Sequence, residues 1–503
     1  MTAVNRPSRL RTFGLAAAGA LVIFVLSAYV ASAGPNVIPA GTLLVSQTAV
    51  SQPVGNGFVG LSMEFRGLAA YAGTDPRAID PPFLNLLRDL APGQRPVLRI
   101  GGDSTDWTWW PVAGIPRPGG IRLDLTPQSM AVTRAVARAL NARLILGINL
   151  EANSTRVAAA EAHAFVNRIG AGSIAALEIG NEAELYPSFA WYKTAAGQKV
   201  KGRPPGYSLA DMIGDFSRMS AVMPRVPLAG PSSGSALWLP LLNHFLASEP
   251  RVKLATVHAY PLKHCAGSPP VTEADLLSTG SSDGLATTVA PWVLAAHRRG
   301  IPLRVDEVNA ITCGGTRGIS DTYGSALWAL DTMFAMAKTG VDGVNVHTVP
   351  GTINEILGPT FAHGHWSVVV HPEFYGLMMF AQAAPAGSRV LALQGAPPPG
   401  VRVWATSAAD HTVRVVVINK LSRRTITVPI RVAAGRGPAT VEQLRGRSLY
   451  ASGSVSLGGH SFGSATTTGR LAPAQTSTLR SSNGAFSVVV PASSATLLAI
   501  PTR

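Results

Sequence analysis

Charged residues are scarce in this 503-residue sequence, at 14% of the chain, whereas hydrophobic residues make up 47%. The mean hydropathy is +0.23. Chains that stay disordered combine low hydrophobicity with high charge, so this composition excludes a largely disordered protein. The length leaves room for a large domain together with one smaller domain.

Acidic residues are fewer than basic ones: 27 Asp and Glu stand against 42 Lys and Arg, which gives a formal net charge of +15 at pH 7. The basic residues are mostly arginines, and they are scattered without a Lys/Arg-rich run. The sequence carries no nucleic-acid-binding motif, so we predict no nucleic-acid partner. This excess of basic residues is typical of a general bias in amino-acid composition, since net charge affects solubility and association rather than fold. The alternative is attraction to an acidic polymer such as a uronic-acid polysaccharide.

Cysteine is almost absent, since Cys265 and Cys313 are the two in the sequence. Two cysteines in an exported protein permit one disulfide. We expect this bridge, because the strand assignment below places both cysteines just beyond the ends of neighbouring strands. Two free thiols are the alternative.

Residues 1–33 combine a basic start, a hydrophobic run (13–30) and an Ala-Ser-Ala site. This pattern predicts a secretory signal peptide. Because the run approaches membrane-spanning length, an uncleaved N-terminal anchor is the alternative. Both interpretations place the folded part outside the cytoplasm. We therefore expect a secreted or extracellular protein, which associates with a membrane only if this segment is not cleaved.

Residues 56–384 repeat a pattern of a short apolar strand, a loop and an Ala/Leu/Arg-rich helix. This alternation predicts an α/β domain with a parallel sheet, and eight such units predict a (β/α)8 TIM barrel with enlarged loops. The predicted strands are 58–62, 97–100, 144–150, 177–179, 226–229, 254–257, 303–305 and 343–346.

Polar side chains follow nearly every predicted strand at its carboxyl end. Barrel enzymes place their chemistry on this face, so we expect a functional site there. The polar residues are Glu64, Asp103, Glu151, Asn153, Asn181, Glu182, His258, Tyr260, Glu307, Asn309 and His347.

The helical pattern stops at residue 385. Alternating Val/Thr/Arg segments, separated by Ser/Gly/Thr-rich turns, predict an antiparallel β-sandwich over 385–503. Residues 34–55 are rich in Val, Thr and Ser and predict one or two leading strands. We expect these to pair with the C-terminal domain.

Glu182 and Glu307 each end an apolar strand, in Leu-Glu-Ile-Gly-Asn-Glu and Leu-Arg-Val-Asp-Glu. A carboxylate is costly there unless it lies at the open end of the strand and reacts. Retaining glycoside hydrolysis needs one protonated and one ionised carboxyl group about 5–5.5 Å apart. The fourth and seventh strands of a barrel face each other across its mouth. The sequence therefore predicts Glu182 as acid/base and Glu307 as nucleophile, with Asn181 on the sugar 2-hydroxyl.

Four motifs occur in order: Leu-Arg-Ile-Gly-Gly-Asp-Ser-Thr-Asp (98–106), Ile-Gly-Asn-Glu (179–182), His-Ala-Tyr-Pro (258–261) and Glu-Val-Asn (307–309). Together they resemble glycoside hydrolase family 79, which includes β-glucuronidases and heparanases. The resemblance covers the barrel and the C-terminal β domain, which that family also has.

The resemblance implies that Tyr260 hydrogen-bonds the nucleophile Glu307. The implied or candidate substrate-binding residues are Glu64, Asp103, Asn181, His258, Tyr260 and His347. In that family, the loop after the eighth strand binds the sugar carboxylate through backbone amides and a tyrosine. Here this loop, residues 347–354, contains no tyrosine.

Several residues near the motifs have less specific interpretations. Trp107, Trp109 and Trp110 form either a stacking platform for sugar rings or a hydrophobic plug. Glu178 and Asp306 flank the predicted catalytic pair, and strand alternation predicts that they point away from the barrel lumen and form structural ion pairs.

The sequence as a whole predicts an exported retaining glycoside hydrolase that cleaves β-linked glucuronosides and needs no cofactor. His363, His365 and His371 lack the partners of a metal site, so no metal is predicted. One alternative is another retaining β-glycosidase of the same clan, acting on xylosides or arabinofuranosides. The other is a non-catalytic carbohydrate-binding protein, which the presence of both glutamates disfavours.

Overall fold

The computed structural model describes residues 41–502, so the predicted signal peptide or anchor (1–33) lies outside the described residues. The chain from Gly41 onward forms one compact unit. Within 41–502, no helix is both long and apolar enough to cross a membrane.

Eight parallel strands close into a barrel through pairing of the first strand with the eighth. All eight strands predicted from the sequence are present, so the TIM-barrel prediction is confirmed. Their cores are apolar because one side of each strand faces the packed lumen and the other faces helices. From first to eighth, the strands are Val59–Glu64, Val97–Gly101, Arg143–Ile148, Ile174–Ile179, Leu228–Ser233, Val252–His258, Leu303–Val308 and Gly343–Thr348.

Helices surround the barrel, and several begin at side chains that cap their free N–H groups. Thr126 caps one helix by accepting from Ser129 N, and Ser208 caps another by accepting from Asp211 N. The α-helices are Leu68–Ala72, Pro81–Asp89, Pro127–Leu140, Thr155–Phe165, Leu209–Ala221, Leu242–Ser248, Glu273–Leu277, Leu285–His297, Tyr323–Thr339 and Pro372–Ala383.

Two helices, Tyr323–Thr339 and Pro372–Ala383, are buried on nearly all sides. A helix that is hydrophobic all round packs between two layers, and these two contact the C-terminal β domain as well as each other. Asp331 of the first helix accepts from Trp404 Nε1 and from Lys420 Nζ, both at 2.7 Å. This buried ion pair fixes the β domain on the barrel.

The C-terminal β domain is a ten-stranded sheet that includes the leading strand Leu43–Ala49. This strand pairs antiparallel with Arg389–Gln394 and parallel with Ile426–Val432. The other described strand pairs of the sheet are antiparallel, so the predicted antiparallel C-terminal domain is confirmed. The remaining strands are Val401–Ser407, Thr412–Asn419, Ala439–Arg445, Ser456–Leu457, Ser477–Leu479, Phe486–Val490 and Ser494–Pro501.

The central strands of this domain are buried on both faces. Val403 and Val415 share one hydrophobic core with Val428 and Val488, as expected of two packed layers. Val416 points the other way, into the large core that continues into the barrel. Burial on both faces explains the consecutive apolar residues in these strands, such as residues 415–418.

Candidate active site

The structure brings Glu182 and Glu307 together at the carboxyl-end face of the barrel. One carboxylate oxygen from each and one ring nitrogen of His258 lie within 4.8 Å of one another. Glu182 follows the fourth strand and is half-buried, whereas Glu307 lies in the seventh strand and is buried. A separation of no more than 4.8 Å between these two oxygens fits carboxyl groups placed roughly 5–5.5 Å apart, as in retaining glycosidases.

The backbone at Glu182 has a left-handed conformation, with φ 46° and ψ 50°. A non-glycine residue pays free energy for this conformation and keeps it only when surrounding contacts impose it. Here Glu182 N donates to Ser232 O at 2.8 Å. The preceding Gly180 also has a positive φ, of 80°. The turn therefore directs the Glu182 side chain into the barrel mouth.

Two side chains hold the carboxylate of Glu307. Arg99 Nη1 donates to Oε2 at 2.7 Å, and Tyr260 OH donates to Oε1 at 3.0 Å. Burial opposes ionisation of Glu307. The positive charges of His347, His258 and Arg99 outweigh burial and hold the pKa of Glu307 well below its usual range. Glu307 is therefore ionised, as a nucleophile must be.

Arg99 lies fully buried inside the barrel lumen and contacts several residues of the site. Its Nη2 donates to Asn181 Oδ1 at 2.7 Å, and its Nε donates to Glu178 Oε2 at 2.7 Å. Arg99 lies within one of the four sequence motifs, but the sequence alone assigns it no role. The available signal was a charged residue inside an otherwise apolar strand, which requires a buried partner.

Glu178 and Asp306 do not point away from the lumen, so that prediction is wrong. Both are fully buried next to Arg99, with Asp306 Oδ2 3.2 Å from Arg99 Nε. The expected ion pairing occurs for Glu178, whose Oε2 lies 2.7 Å from Arg99 Nε. Burial and the Glu178 carboxylate raise the pKa of Asp306 well above its usual range. For Glu178, Arg99 outweighs burial and lowers the pKa. Asp306 is thus the neutral member of the pair.

A β-bulge explains why strand alternation failed in the seventh strand. Val257 pairs with Val305, but the next residue of the sixth strand, His258, pairs with Glu307. Asp306 is the extra residue between them. Because a bulge disrupts the two-residue period, the adjacent residues Asp306 and Glu307 can both contact Arg99.

His258 links the acid/base candidate to the lumen. Its Nδ1 lies 3.0 Å from Glu182 Oε1, and its Nε2 lies 3.1 Å from Ser232 Oγ. Burial lowers the proton affinity of His258, but the carboxylates of Glu307 and Glu182 outweigh it and raise the pKa to about 9. His258 is therefore protonated at neutral pH and donates to Glu182. This contact leaves Oε2 of Glu182 to carry the proton that a leaving group would receive.

Glu64 and Asp103 lie beside the pair on the side of the first two strands. The buried Glu64 accepts from Ser104 N at 2.7 Å and from Asp103 N at 3.2 Å, so it fixes the loop that carries Asp103. The Asp103 side chain is exposed at the cleft. Desolvation there, together with the charges of Glu64, Glu307 and Glu182, raises the pKa of Asp103 to about 7.

Asn181 and His347 complete the set of predicted binding residues. Because Arg99 occupies Oδ1 of Asn181, the amide Nδ2 is the group that can donate to a ligand. His347 is half-buried, and its two ring nitrogens lie 3.8 Å from Glu307 Oε2 and Glu64 Oε1. All six predicted binding residues therefore lie around Glu182 and Glu307. Their roles in binding stay predictions.

Glu184 is a further neighbour of the site to which the sequence assigned no role. Its Oε1 accepts from Ser233 Oγ at 2.8 Å and from Gly234 N at 2.9 Å. Burial and the nearby Glu182 raise its pKa to about 7. Glu184 thereby ties the loop after the fourth strand to the loop after the fifth. Its contacts are tertiary, so no local sequence pattern identifies them.

The three tryptophans differ in environment. Trp109 is buried in a small core with Trp191, so it acts as a plug. Trp110 is partly buried against the main core and lies under Arg168. Trp107 is half-buried at the rim, with the guanidinium carbon of Arg122 3.8 Å from its ring centroid.

Cys265 and Cys313 form a disulfide, with Cα atoms 5.4 Å apart, so the predicted bridge is confirmed. It joins the loops after the sixth and seventh strands. Glu182, His258 and Glu307 are the one group within 41–502 whose ligand atoms are close enough for a metal ion. His258 Nδ1 already contacts Glu182 Oε1 at 3.0 Å, and the Arg99 guanidinium lies 2.7 Å from Glu307. This donor set fits a proton-transfer and nucleophile pair better than a metal centre.

Comparisons with known proteins agree with this architecture. The family model described as the glycosyl hydrolase family 79 C-terminal beta domain matches residues 403–497. A β-glucuronidase of Neurospora crassa is 24% identical over 373 residues, which cover 67% of this chain and 63% of the relative, less than two thirds of its length. A β-glucuronidase of Aspergillus niger is 24% identical over 403 residues, 73% of this chain and 72% of the relative.

Solved structures share the fold. A 4-O-α-L-rhamnosyl-β-D-glucuronidase from Fusarium oxysporum superposes with a TM-score of 0.71 at 20% identity, over 90% of this chain and 99% of that chain. An α-L-arabinofuranosidase from Thermotoga maritima superposes with a TM-score of 0.64 at 14% identity, over 92% and 99%. At these identities the likeness concerns the fold alone.

The fold and the paired carboxyl groups define the class of protein. It is a (β/α)8 barrel with an attached β domain, and its barrel is built like those of glycoside hydrolases. The match of the C-terminal domain and the two curated relatives confirm the more specific relationship predicted from the motifs, which is to glycoside hydrolase family 79.

Proposed function

We propose that the protein is a retaining β-glucuronidase in which Glu307 is the nucleophile and Glu182 the acid/base. The observation that carries the proposal is the approach of the two carboxyl groups to within 4.8 Å, with Glu307 held ionised by its cationic neighbours. The glucuronide part rests on the two β-glucuronidases to which the chain is similar.

In the first step Glu307 attacks the anomeric carbon while Glu182 gives its proton to the leaving oxygen. Arg99 and Tyr260 orient the two oxygens of Glu307 for this attack. Once Glu307 is esterified by the sugar, Glu182 acts as the base for the water that cleaves the ester.

We also propose that the protein acts outside the cytoplasm. The predicted signal peptide and the disulfide between Cys265 and Cys313 support this location, because disulfides persist in oxidising compartments. Detection of the secreted chain in the culture medium, with its N-terminal sequence, tests the location. An N-terminus upstream of residue 33 on a membrane-bound chain would favour the anchor instead.

Hydrolysis of a chromogenic β-glucuronide, beside the matching β-glucoside and β-xyloside, tests the activity. We expect turnover of the glucuronide with retention of anomeric configuration, which proton NMR of the first product measures. Glu307→Gln should abolish turnover, whereas Asp410→Asn, which removes a carboxylate from the β domain, should not. Turnover of a neutral glycoside alone would transfer the substrate assignment to the xyloside or arabinofuranoside alternative. Survival of activity in Glu307→Gln would refute the mechanism.

A further inference from the structure

The backbone turn that carries Glu182 is anchored at three consecutive amides. Gly180 N donates to a carbonyl of the third barrel strand at 2.9 Å, and Glu182 N donates to a carbonyl of the fifth strand at 2.8 Å. The middle amide differs, because Asn181 N donates to a side chain, the hydroxyl of Tyr186, at 3.3 Å. The turn therefore depends on one side chain for a contact that barrel strands supply at the two neighbouring positions.

A buried carboxylate holds the hydroxyl of Tyr186 in turn. Tyr186 and Asp106 are both buried, and Tyr186 OH donates to Asp106 Oδ2 at 2.7 Å. The other oxygen, Oδ1, accepts from Leu150 N at 2.9 Å and from Glu151 N at 3.0 Å. These two amides keep the Asp106 carboxylate from turning away. The single proton of the hydroxyl thus goes to Asp106, and a lone pair of its oxygen accepts from Asn181 N.

Glycine at position 180 allows the hydroxyl to come this close to the turn. Gly180 has a positive φ of 80°, and a Cβ atom there would lie 2.9 Å from Tyr186 OH and 2.8 Å from Leu150 Cδ2. A side chain at this position would therefore displace the hydroxyl from Asn181 N. Arg203 also covers the Tyr186 ring, with its guanidinium carbon 5.6 Å from the ring centroid. The hydroxyl is confined to the place from which it contacts the turn.

Glu182 needs this support because its left-handed backbone conformation is strained and persists only while surrounding contacts impose it. If Asn181 N loses its acceptor, the turn can relax and carry the Glu182 carboxyl with it. Glu307 is held separately, by Arg99 and Tyr260. A general acid must lie within hydrogen-bond reach of the leaving oxygen, so a small shift of Glu182 would impair proton transfer while the nucleophile stays in place.

We propose that Tyr186 and Asp106 are positioning residues for Glu182. Asp106 fixes the hydroxyl of Tyr186, and this hydroxyl fixes the turn from which Glu182 gives and takes its proton. The proposal rests on the proposed function and deepens it, because it assigns the groups that place the acid/base. Asp106 ends the first sequence motif (98–106), in which the sequence alone assigns it no role.

The test compares Tyr186→Phe with the wild type on aryl β-glucuronides whose phenols differ in acidity. Weakly acidic phenols need the proton of Glu182 in order to leave, and we expect their kcat/KM to fall about tenfold. A dinitrophenyl glucuronide needs no proton, so its kcat/KM should change by less than about twofold. A merely structural defect lowers activity on every leaving group alike. Equal losses across the series would therefore overturn the proposal.

Tyr207→Phe is the matched control. Like Tyr186, Tyr207 donates its hydroxyl to an aspartate, Asp215 Oδ2 at 2.9 Å, and lies next to Arg203, whose guanidinium carbon is 5.4 Å from the Tyr207 ring centroid. Within 41–502, its hydroxyl makes no hydrogen bond to residues 180–182. We expect Tyr207→Phe to lower the Tm as Tyr186→Phe does, with the wild-type dependence on the leaving group. A tenfold contrast in this variant as well would overturn the proposal.

Asp106→Asn tests the first link. The amide keeps the shape of the side chain and an oxygen for the two backbone donors, but it presents an N–H to Tyr186, whose own proton then lacks its acceptor. We expect the same contrast between leaving groups. Because Asp106 acts through Tyr186, the double variant Asp106→Asn/Tyr186→Phe should show no larger contrast than Tyr186→Phe alone. Contrasts that multiply in the double variant would refute the link between the two residues.

Hydrogen–deuterium exchange separates this proposal from the proposed function. In Tyr186→Phe, the peptide that contains Asn181 should exchange faster than in the wild type, whereas the peptide that contains Ser232 should not. Failure of the wild type to hydrolyse any glycoside would refute the proposed function, and exchange would then still decide whether Tyr186 anchors the turn. Unchanged exchange at residues 180–182 would overturn the positioning role whatever the activity.

Discussion

The guanidinium of Arg99 reaches Glu307 and Asn181 at once, with Nη1 2.7 Å from Glu307 Oε2 and Nη2 2.7 Å from Asn181 Oδ1. One buried cation on the second strand thus positions groups from the fourth and seventh strands. Its Nε donates to Glu178, so carboxylates hold the Arg99 guanidinium on two sides. The relative placement of the proposed nucleophile and of the amide beside the acid/base depends on this residue.

Arg99→Lys should therefore impair both activity and stability. The lysine ammonium group is too compact to reach Glu178, Glu307 and Asn181 at once. Buried carboxylates would therefore lose their contacts. We expect kcat to fall by about 100-fold and the free energy of unfolding to fall by about 3–5 kcal/mol. Urea denaturation and steady-state kinetics measure these effects. Arg88→Lys, on an exposed helix surface, is the control. Near wild-type kcat in Arg99→Lys would contradict the assigned positioning role.

Tyr260→Phe should weaken the nucleophile without unfolding the protein. The hydroxyl donates to Glu307 Oε1 at 3.0 Å and so stabilises the ionised carboxylate. Its loss should reduce kcat by roughly 10–100-fold and move the acidic limb of the pH–rate profile to higher pH. Tyr450→Phe, at an exposed position, should change neither. An acidic limb that stays in place would argue against the hydrogen bond.

Glu182→Gln should make the rate depend strongly on the leaving group. Without a proton donor, glycosides with poor leaving groups should lose about 10²–10⁴-fold in kcat/KM, whereas activated aryl glycosides should lose much less. Azide, which needs no general base, should restore turnover of the activated substrate and give a β-glycosyl azide. Equal losses for good and poor leaving groups would remove Glu182 from the acid/base role.

Glu373→Gln should stabilise the protein at alkaline pH. Glu373 is buried, its Oε1 has no hydrogen-bond partner among the described residues, and burial raises its pKa to about 8. The unfolded chain ionises near the ordinary value of 4.5, so wild-type stability falls as pH rises from there through about 8. The variant should gain at most about 5 kcal/mol relative to the wild type between pH 4 and pH 9. A difference that does not change with pH would contradict the raised pKa.

Breaking the disulfide should loosen the site. The bridge spans 48 residues between Cys265 and Cys313, and loop-closure entropy predicts a loss of about 4 kcal/mol on its removal. One of the joined loops contains Tyr260 and the other follows the strand that carries Glu307, so activity should decline at a lower temperature. Thermal unfolding of Cys265→Ser/Cys313→Ser measures the loss. A reductant should lower the Tm of the wild type but not that of the double variant.

The sequence predicted the barrel well because its eight strands are buried on both sides and appear as short apolar runs between helices. It located Glu182 and Glu307 for a related reason: a carboxylate after such a run has few structural explanations. The role of Arg99 was not predicted, because in the sequence this residue is only one member of a motif. It also misplaced Asp306, because a bulge has no reliable signature in a single sequence.

The sequence by itself determined the order of the strands, the carboxyl-end placement of the polar residues and the pairing of two glutamates, because each follows from local periodicity and from barrel geometry. Tertiary structure alone decided which charges meet. The contacts of Arg99 with Glu178 and Glu307, of His258 with Glu182, and of Arg122 with Trp107 join residues that are 79, 208, 76 and 15 positions apart. Contacts made through space carry no local pattern, so they become visible only when the chain closes the barrel.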